Sequence, residues 1–164
     1  MANITTLELT KDYLEFSAGH FTIFSATHRE KMHGHNYNVY GVITAEINDN
    51  GMTFDYAIYK KKLLELCKKL NGYFLLPNNS PHLRLEEKDD LYYGYFHNEK
   101  IPFPKSDVLI LPVKNVTIEE LARWFIEQLT SESEEIKKHR IHGITIKVFS
   151  TPGVNAAATW EKTA

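Results

Sequence analysis

The segment His35–Ile47 alternates without a break. Tyr37, Val39, Gly41, Ile43, Ala45 and Ile47 fall on one side, and Asn36, Asn38, Tyr40, Val42, Thr44 and Glu46 on the other. Successive side chains of a strand point to opposite faces, so this period of two specifies a long strand with one buried face. A strand of that kind needs neighbours for its hydrogen bonds and a layer to cover its apolar side. Asn48-Asp49-Asn50-Gly51 ends it with turn residues.

The covering layer is legible in two stretches at helical spacing. From about Tyr56 to Leu70, with Asp55 as N-cap, Tyr59, Leu63, Leu66, Cys67 and Leu70 share a stripe, and Asn71-Gly72 closes the helix. Thr117-Ile118-Glu119-Glu120 has the form of a capping box, with Thr117 as N-cap and Glu120 reaching back to it. Ile118, Leu121, Ala122, Phe125 and Leu129 form the stripe that follows. Further strands are expected around Tyr13–Ala18, over the alternating Ile144, Ile146 and Val148, and from Val154 to Trp160 after the Thr151-Pro152-Gly153 turn. Residues 73–113, broken by five prolines, read as an inserted hairpin or ribbon, with Glu86–Asp90 as a solvated turn. The expectation is one α+β domain over residues 1–164. It is an antiparallel sheet with two helices on one face, ordered ββααββ with the insertion before the second helix.

With 164 residues the chain can bury one core. Its 19 basic and 21 acidic residues leave a net charge of −2, which gives no electrostatic case for nucleic-acid binding. No apolar run approaches the ~18 residues of a membrane span. The N-terminus lacks a secretory pattern, so a cytoplasmic protein is expected. A lone cysteine, Cys67, excludes an internal disulfide and an all-cysteine zinc site, and its place on a helix stripe reads as core.

Four of the eight histidines crowd into residues 20–35. His33 and His35, two apart on a strand, point the same way, and an antiparallel neighbour could bring His20 opposite them. Three imidazoles with an open fourth position describe a catalytic zinc site, while the same residues also fit a polar strand edge facing solvent. Glu30, just before His33, reads either as an exposed loop charge or as a proton acceptor, its pKa raised by a dry site. His82 and His97 have no ligand-type neighbour at metal spacing and read as surface or packing residues.

Phe16-Ser17-Ala18-Gly19-His20 followed by His33-Gly34-His35-Asn36-Tyr37 resembles the 6-pyruvoyl tetrahydropterin synthase and 6-carboxytetrahydropterin synthase family. Gly51–Tyr56 and Asn115–Ala122 resemble the starts of that family's two helices. The resemblance implies the tunnelling fold, trimers or dimers of trimers with active sites at subunit interfaces, and zinc on His20, His33 and His35. It also implies lyase chemistry on 7,8-dihydroneopterin triphosphate or a similar pterin. The family's usual cysteine before H-G-H is missing, but Glu30 fits a subgroup with glutamate in E-x-x-H-G-H spacing and so becomes the expected base. The family's Leu-Asp-His corresponds to Leu70-Asn71-Gly72, which cannot titrate, and His28 or His82 are the substitutes to examine. The family's pterin-anchoring glutamate corresponds to Ser150. Thr117, Ser150 and Thr151 are the substrate-binding candidates, with Glu161 or Glu119 as compensating acids. The alternatives are an altered member that binds zinc and a pterin- or purine-like ligand without the standard reaction, and a zinc enzyme with a non-pterin substrate.

Overall fold

The structure is a computed structural model and describes residues 2–10 and 12–163. The alternating segment forms β3 (His33–Glu46), and its two edges organise the rest. One edge is shared by β1 (Ile4–Leu9), opposite residues 41–46, and β2 (Glu15–His20), opposite residues 33–38. The other edge pairs antiparallel with β9 (Ile141–Thr151), which pairs with β10 (Val154–Glu161). The alternation holds residue by residue. Tyr37, Val39, Ile43 and Ala45 are buried, while Tyr40 on the opposite face is exposed.

Helices α1 (Ala57–Leu70) and α2 (Ile118–Thr130) cover the buried face. Tyr59, Leu63, Cys67 and Leu70 of α1 meet Leu121, Ala122, Phe125 and Leu129 of α2 in the main core, together with Ile144, Ile146 and Val148 of β9. The N-cap of α1 is Tyr56, without a side-chain cap bond, rather than the expected Asp55, whose carboxylate accepts from the Ala57 backbone N–H at 2.9 Å from one residue earlier. Gly72 follows the helix at a φ of +84°, which favours glycine. Thr117 caps α2 by accepting from Glu120 N–H. Glu120 does not return the bond as a capping box requires. Its carboxylate accepts from Lys114 N–H at 2.8 Å and from Arg123, so it braces the approach to the helix instead. Cys67 is fully buried, and burial pushes its thiol up to about 12, which fits a packing role.

The inserted region is richer than a hairpin. Its flanks, β4 (Phe74–Pro77) and β8 (Val108–Leu111), extend the main sheet, and they do so in parallel: β4 along β2, β8 along β4. The sheet is thus not antiparallel throughout, because these strands are reached through helix α1 and through the insertion rather than through tight turns. Between them, β5 (Leu83–Lys88), β6 (Leu91–Phe96) and β7 (Glu99–Pro104) form a separate antiparallel ribbon. Glu86–Lys88 belong to β5, and only Asp89-Asp90 make the turn, with Asp89 at a φ of +52°. The acidic run misleads because the outer edge of a ribbon carries charge as readily as a turn does. One face of the ribbon is apolar. Leu83, Phe96 and Phe103 pack with Leu76, Val108, Phe21 and Ile23 in a second core. A short helix α3 (Ser133–Lys138) precedes β9; at six residues its pattern is too brief to read from sequence. Among the described residues, no helix is long and apolar enough to cross a membrane.

The β2–β4 junction depends on a close approach. A Cβ on Gly19 would lie 2.5 Å from Cδ2 of Phe74, whose ring rests against that backbone. Gly19→Ala is therefore expected to displace Phe74 and lower stability by about 1–3 kcal/mol in urea unfolding.

Candidate metal centre and active site

The β2–β3 register builds the site. Antiparallel pairing sets His20 directly opposite His33 and Ala18 opposite His35. His33 and His35 share one face by the strand period, and the cross-strand partner His20 shares it too. Gly34 between them lets β2 pass close: a Cβ there would sit 3.1 Å from the Ala18 carbonyl oxygen. The three ligand nitrogens lie within 4.8 Å of one another.

Hydrogen bonds fix how these rings present themselves. His20 Nδ1 lies 2.8 Å from the Val116 carbonyl oxygen, and His33 Nδ1 lies 2.7 Å from that of Lys31. A carbonyl only accepts, so each Nδ1 carries the proton and each Nε2 of the neutral ring presents a lone pair. Yet His20 Nε2 and His35 Nε2 each stand 3.1 Å from His33 Nε2. The lone pairs of His20 and His33, facing each other at that separation, repel unless a cation lies between them. Tetrahedral zinc, with Zn–N bonds of about 2.0–2.1 Å, holds its nitrogens about 3.3 Å apart. The donor set and its outer hydrogen bonds fit such an ion. Burial, together with the neighbouring His33 and His35, lowers the His20 pKa despite its bond to Val116, which favours the neutral ligand form. Tyr37 packs edge-on against His20 and His35 and stacks on Phe16 at 4.8 Å, forming the floor beneath the rings.

Glu30 closes one side. Its Oε2 accepts from Thr22 N–H at 2.9 Å and lies 3.8 Å from His33 Nε2. Oε1 makes no hydrogen bond among the described residues. The expected rise in its pKa does not occur. Partial burial pushes the carboxyl up, but hydrogen bonds from Thr22 and the fields of His33 and His20 together outweigh it, and the pKa ends below the ordinary value. The loop is wetter, and its backbone more engaged, than a dry acid site requires.

The other expected residues are scattered. Thr117 follows Val116, the carbonyl of which orients His20, but its own hydroxyl is engaged as the helix cap. Ser150 lies one step past the last β3–β9 pair, Asn38–Phe149, half-buried on the same face as Val148; Thr151 beyond it is exposed. Asn71 serves the fold: its Oδ1 accepts from Ser17 N–H at 2.8 Å, tying the end of α1 to β2. His28 is exposed and stacks on Phe24, His82 is exposed, and so are Glu119 and Glu161. An open groove of about 610 Å³ borders His35, Gly34 and Ser17, with Phe74 and Asp107 opposite, yet it contains neither His20, His33 nor Glu30. Asn115 was not singled out from the sequence. It accepts from Ile23 N–H and Val116 N–H and donates to the Ile23 carbonyl, so it pins the loop after β2 to the carbonyl that orients His20. Its place two residues before the cap Thr117 was the available signal.

The family described as 6-pyruvoyl tetrahydropterin synthase matches residues 8–161. A relative from Methanocaldococcus jannaschii, provisionally named 6-carboxy-5,6,7,8-tetrahydropterin synthase, is 28% identical over 150 residues, covering 91% of this chain and 90% of its own. One from Pyrococcus horikoshii with the same name is 28% identical over 148 residues, covering 89% and 86%. The 6-pyruvoyl tetrahydropterin synthase structure from Plasmodium vivax superposes with a TM-score of 0.92 at 28% identity, covering 98% of this chain and 99% of that one; its Plasmodium falciparum counterpart gives the same values. Two further P. vivax structures are of variants in which a catalytic glutamate is replaced by alanine or cysteine. A chain matched from residue 8 to 161, with this fold and this histidine cluster, belongs to the 6-pyruvoyl tetrahydropterin synthase family of lyases.

Proposed function

We propose that this chain is a zinc-dependent lyase acting on 7,8-dihydroneopterin triphosphate or a closely similar pterin, with Glu30 as the base. The observation that carries the reading is the convergence of three imidazole nitrogens beside a carboxylate whose nearer oxygen is 3.8 Å from one of them. His20, His33 and His35 would hold the ion. Bound there, zinc supplies Lewis acidity toward side-chain oxygens of the substrate. Glu30 accepts a carbon-bound proton of the pterin side chain. Its depressed pKa keeps it ionised, and so in the accepting form, throughout the neutral range. Thr22 N–H restrains one carboxylate oxygen and leaves Oε1 for the substrate. The P. vivax enzyme, in which a glutamate is named as catalytic, supports the role of Glu30, and the naming of the archaeal relatives supports a pterin substrate.

Thr117, Ser150 and Thr151 remain the substrate-binding candidates on this chain. In this reading, as the family resemblance implies, the site is completed by a neighbouring subunit in a trimer or dimer of trimers. The unpaired outer edges of β10 and β8 suit that assembly.

A second reading is favoured by Asn71 and Ser150. Neither can supply the charge expected at its position, and Asn71 is committed to Ser17. In that reading the protein binds zinc and a pterin- or purine-like ligand without the standard reaction.

Purified protein is expected to carry one zinc per subunit by elemental analysis. Removing it with a chelator should abolish turnover of 7,8-dihydroneopterin triphosphate and lower the melting temperature, since an ion bound only by the folded state stabilises it. Preparations free of metal after zinc supplementation would sink both readings. Glu30→Gln should retain the zinc and lose about 10²–10⁴-fold in kcat. Unchanged kcat would remove Glu30 from the chemistry, and ligand binding without any product in the parent protein would favour the second reading.

A further inference from the structure

We propose that the β5–β7 ribbon is the buttress of the Glu30 loop and acts through Arg29, making Arg29 and Glu99 positioning residues for the base. This rests on the reading of Glu30 given above and assigns a role to an insertion that the chemistry alone does not explain.

Arg29 links ribbon and loop. Arg29 Nε donates to Glu99 Oε2 of β7 at 2.8 Å. Arg29 Nη1 donates to the backbone carbonyl of Glu30 at 2.8 Å. The guanidinium lies 5.0 Å from the centre of the Phe21 ring and 5.9 Å from that of Phe96 in β6. Its side chain is only 16% exposed, against 48% for Glu99, so the pair is screened mainly from the Glu99 side. A planar fork held by an anion at one edge and two rings across its face has little freedom left, and a further donor is spent on the Glu30 main chain.

The loop is held on its other side by the same body. Glu30 N–H donates to the Thr22 carbonyl at 2.8 Å and Thr22 N–H returns the bond to the Glu30 carboxylate. Ile23 pairs with Arg29 in an isolated antiparallel bridge. Phe21 and Ile23, which flank Thr22, are buried in the second core against the ribbon residues Phe96 and Phe103. Both walls of the Glu30 hairpin therefore stand on the ribbon. A base displaced by a fraction of an ångström from the proton it must take loses rate without losing its substrate.

The test uses full-length zinc-loaded protein and three variants: Glu99→Ala, Arg29→Ala and the pair combined. Glu99 is half-exposed and outside the core, so its variant reports positioning even if Arg29→Ala fails to fold. Glu99→Ala is expected to lower kcat for 7,8-dihydroneopterin triphosphate about fivefold to tenfold, with KM and zinc content unchanged, and Arg29→Ala to do at least as much. The double variant should be no worse than Arg29→Ala alone, because the two residues act as one unit. Independently of activity, amide exchange at Thr22 and Glu30 should quicken about tenfold or more in Glu99→Ala while exchange in α2 is unchanged. Unaltered exchange at those two amides overturns the buttress whatever the kinetics. If exchange quickens and Glu30→Gln loses turnover while Glu99→Ala keeps full kcat, the positioning role is overturned and the base assignment survives. Full turnover in Glu30→Gln overturns the base assignment instead, with exchange still deciding the buttress.

Discussion

The chemistry of this protein depends on one pairing register. His20 meets His33 across two antiparallel strands, and the histidine cluster follows from that alignment. A slip of one residue would turn His20 to the opposite face of the sheet from His33 and His35. The register is guarded on both sides of the sheet. Below, Phe16, Tyr37 and Phe125 interlock in the core. Above, the missing side chain at Gly19 admits the Phe74 ring, and Asn71 holds Ser17. Asn71 thus contributes to strand placement at the position where the resemblance leads one to look for a proton relay.

The orientation of the histidine cluster comes from backbone carbonyls. Val116 and Lys31 each accept a hydrogen bond from an imidazole Nδ1–H, which leaves the two Nε2 lone pairs free. Val116 is in turn fixed by Asn115 and by the capped start of α2. A helix cap, an amide staple and a histidine of the cluster are thereby parts of one hydrogen-bonded assembly, so the stability and the geometry of this corner draw on the same contacts. Glu30 adjoins Lys31, whose carbonyl orients His33, and its hairpin also leans on the second core and the ribbon.

Much of the architecture was legible because it rests on periodicity. The long strand, both amphipathic helices and the last two strands repeat their pattern often enough to be read, and the cap at Thr117 and the Asp55 bond just before α1 mark helix starts by local hydrogen bonding. The parallel additions β4 and β8 were not legible. Each is four residues long, and nothing local distinguishes a strand that joins its neighbour in parallel from one that turns back. The half-completed capping box failed for a related reason. Glu120 had two donors within reach, and the approach of Lys114 settled which one it took.

For the site, the sequence alone determined that His33 and His35 share a face, since a strand has a period of two, and the motif around them carries the family's signature. It also placed an acid, Glu30, within reach of them. Tertiary structure decided the rest: which imidazole nitrogens are free, whether the carboxyl is pushed up or down, and what holds its loop. These depend on carbonyls, rings and a guanidinium brought together with residues 21, 22, 96, 99 and 116. Electrostatic and hydrogen-bonding effects fall off within a few ångströms, so they follow spatial neighbours, and only the folded chain makes those residues neighbours.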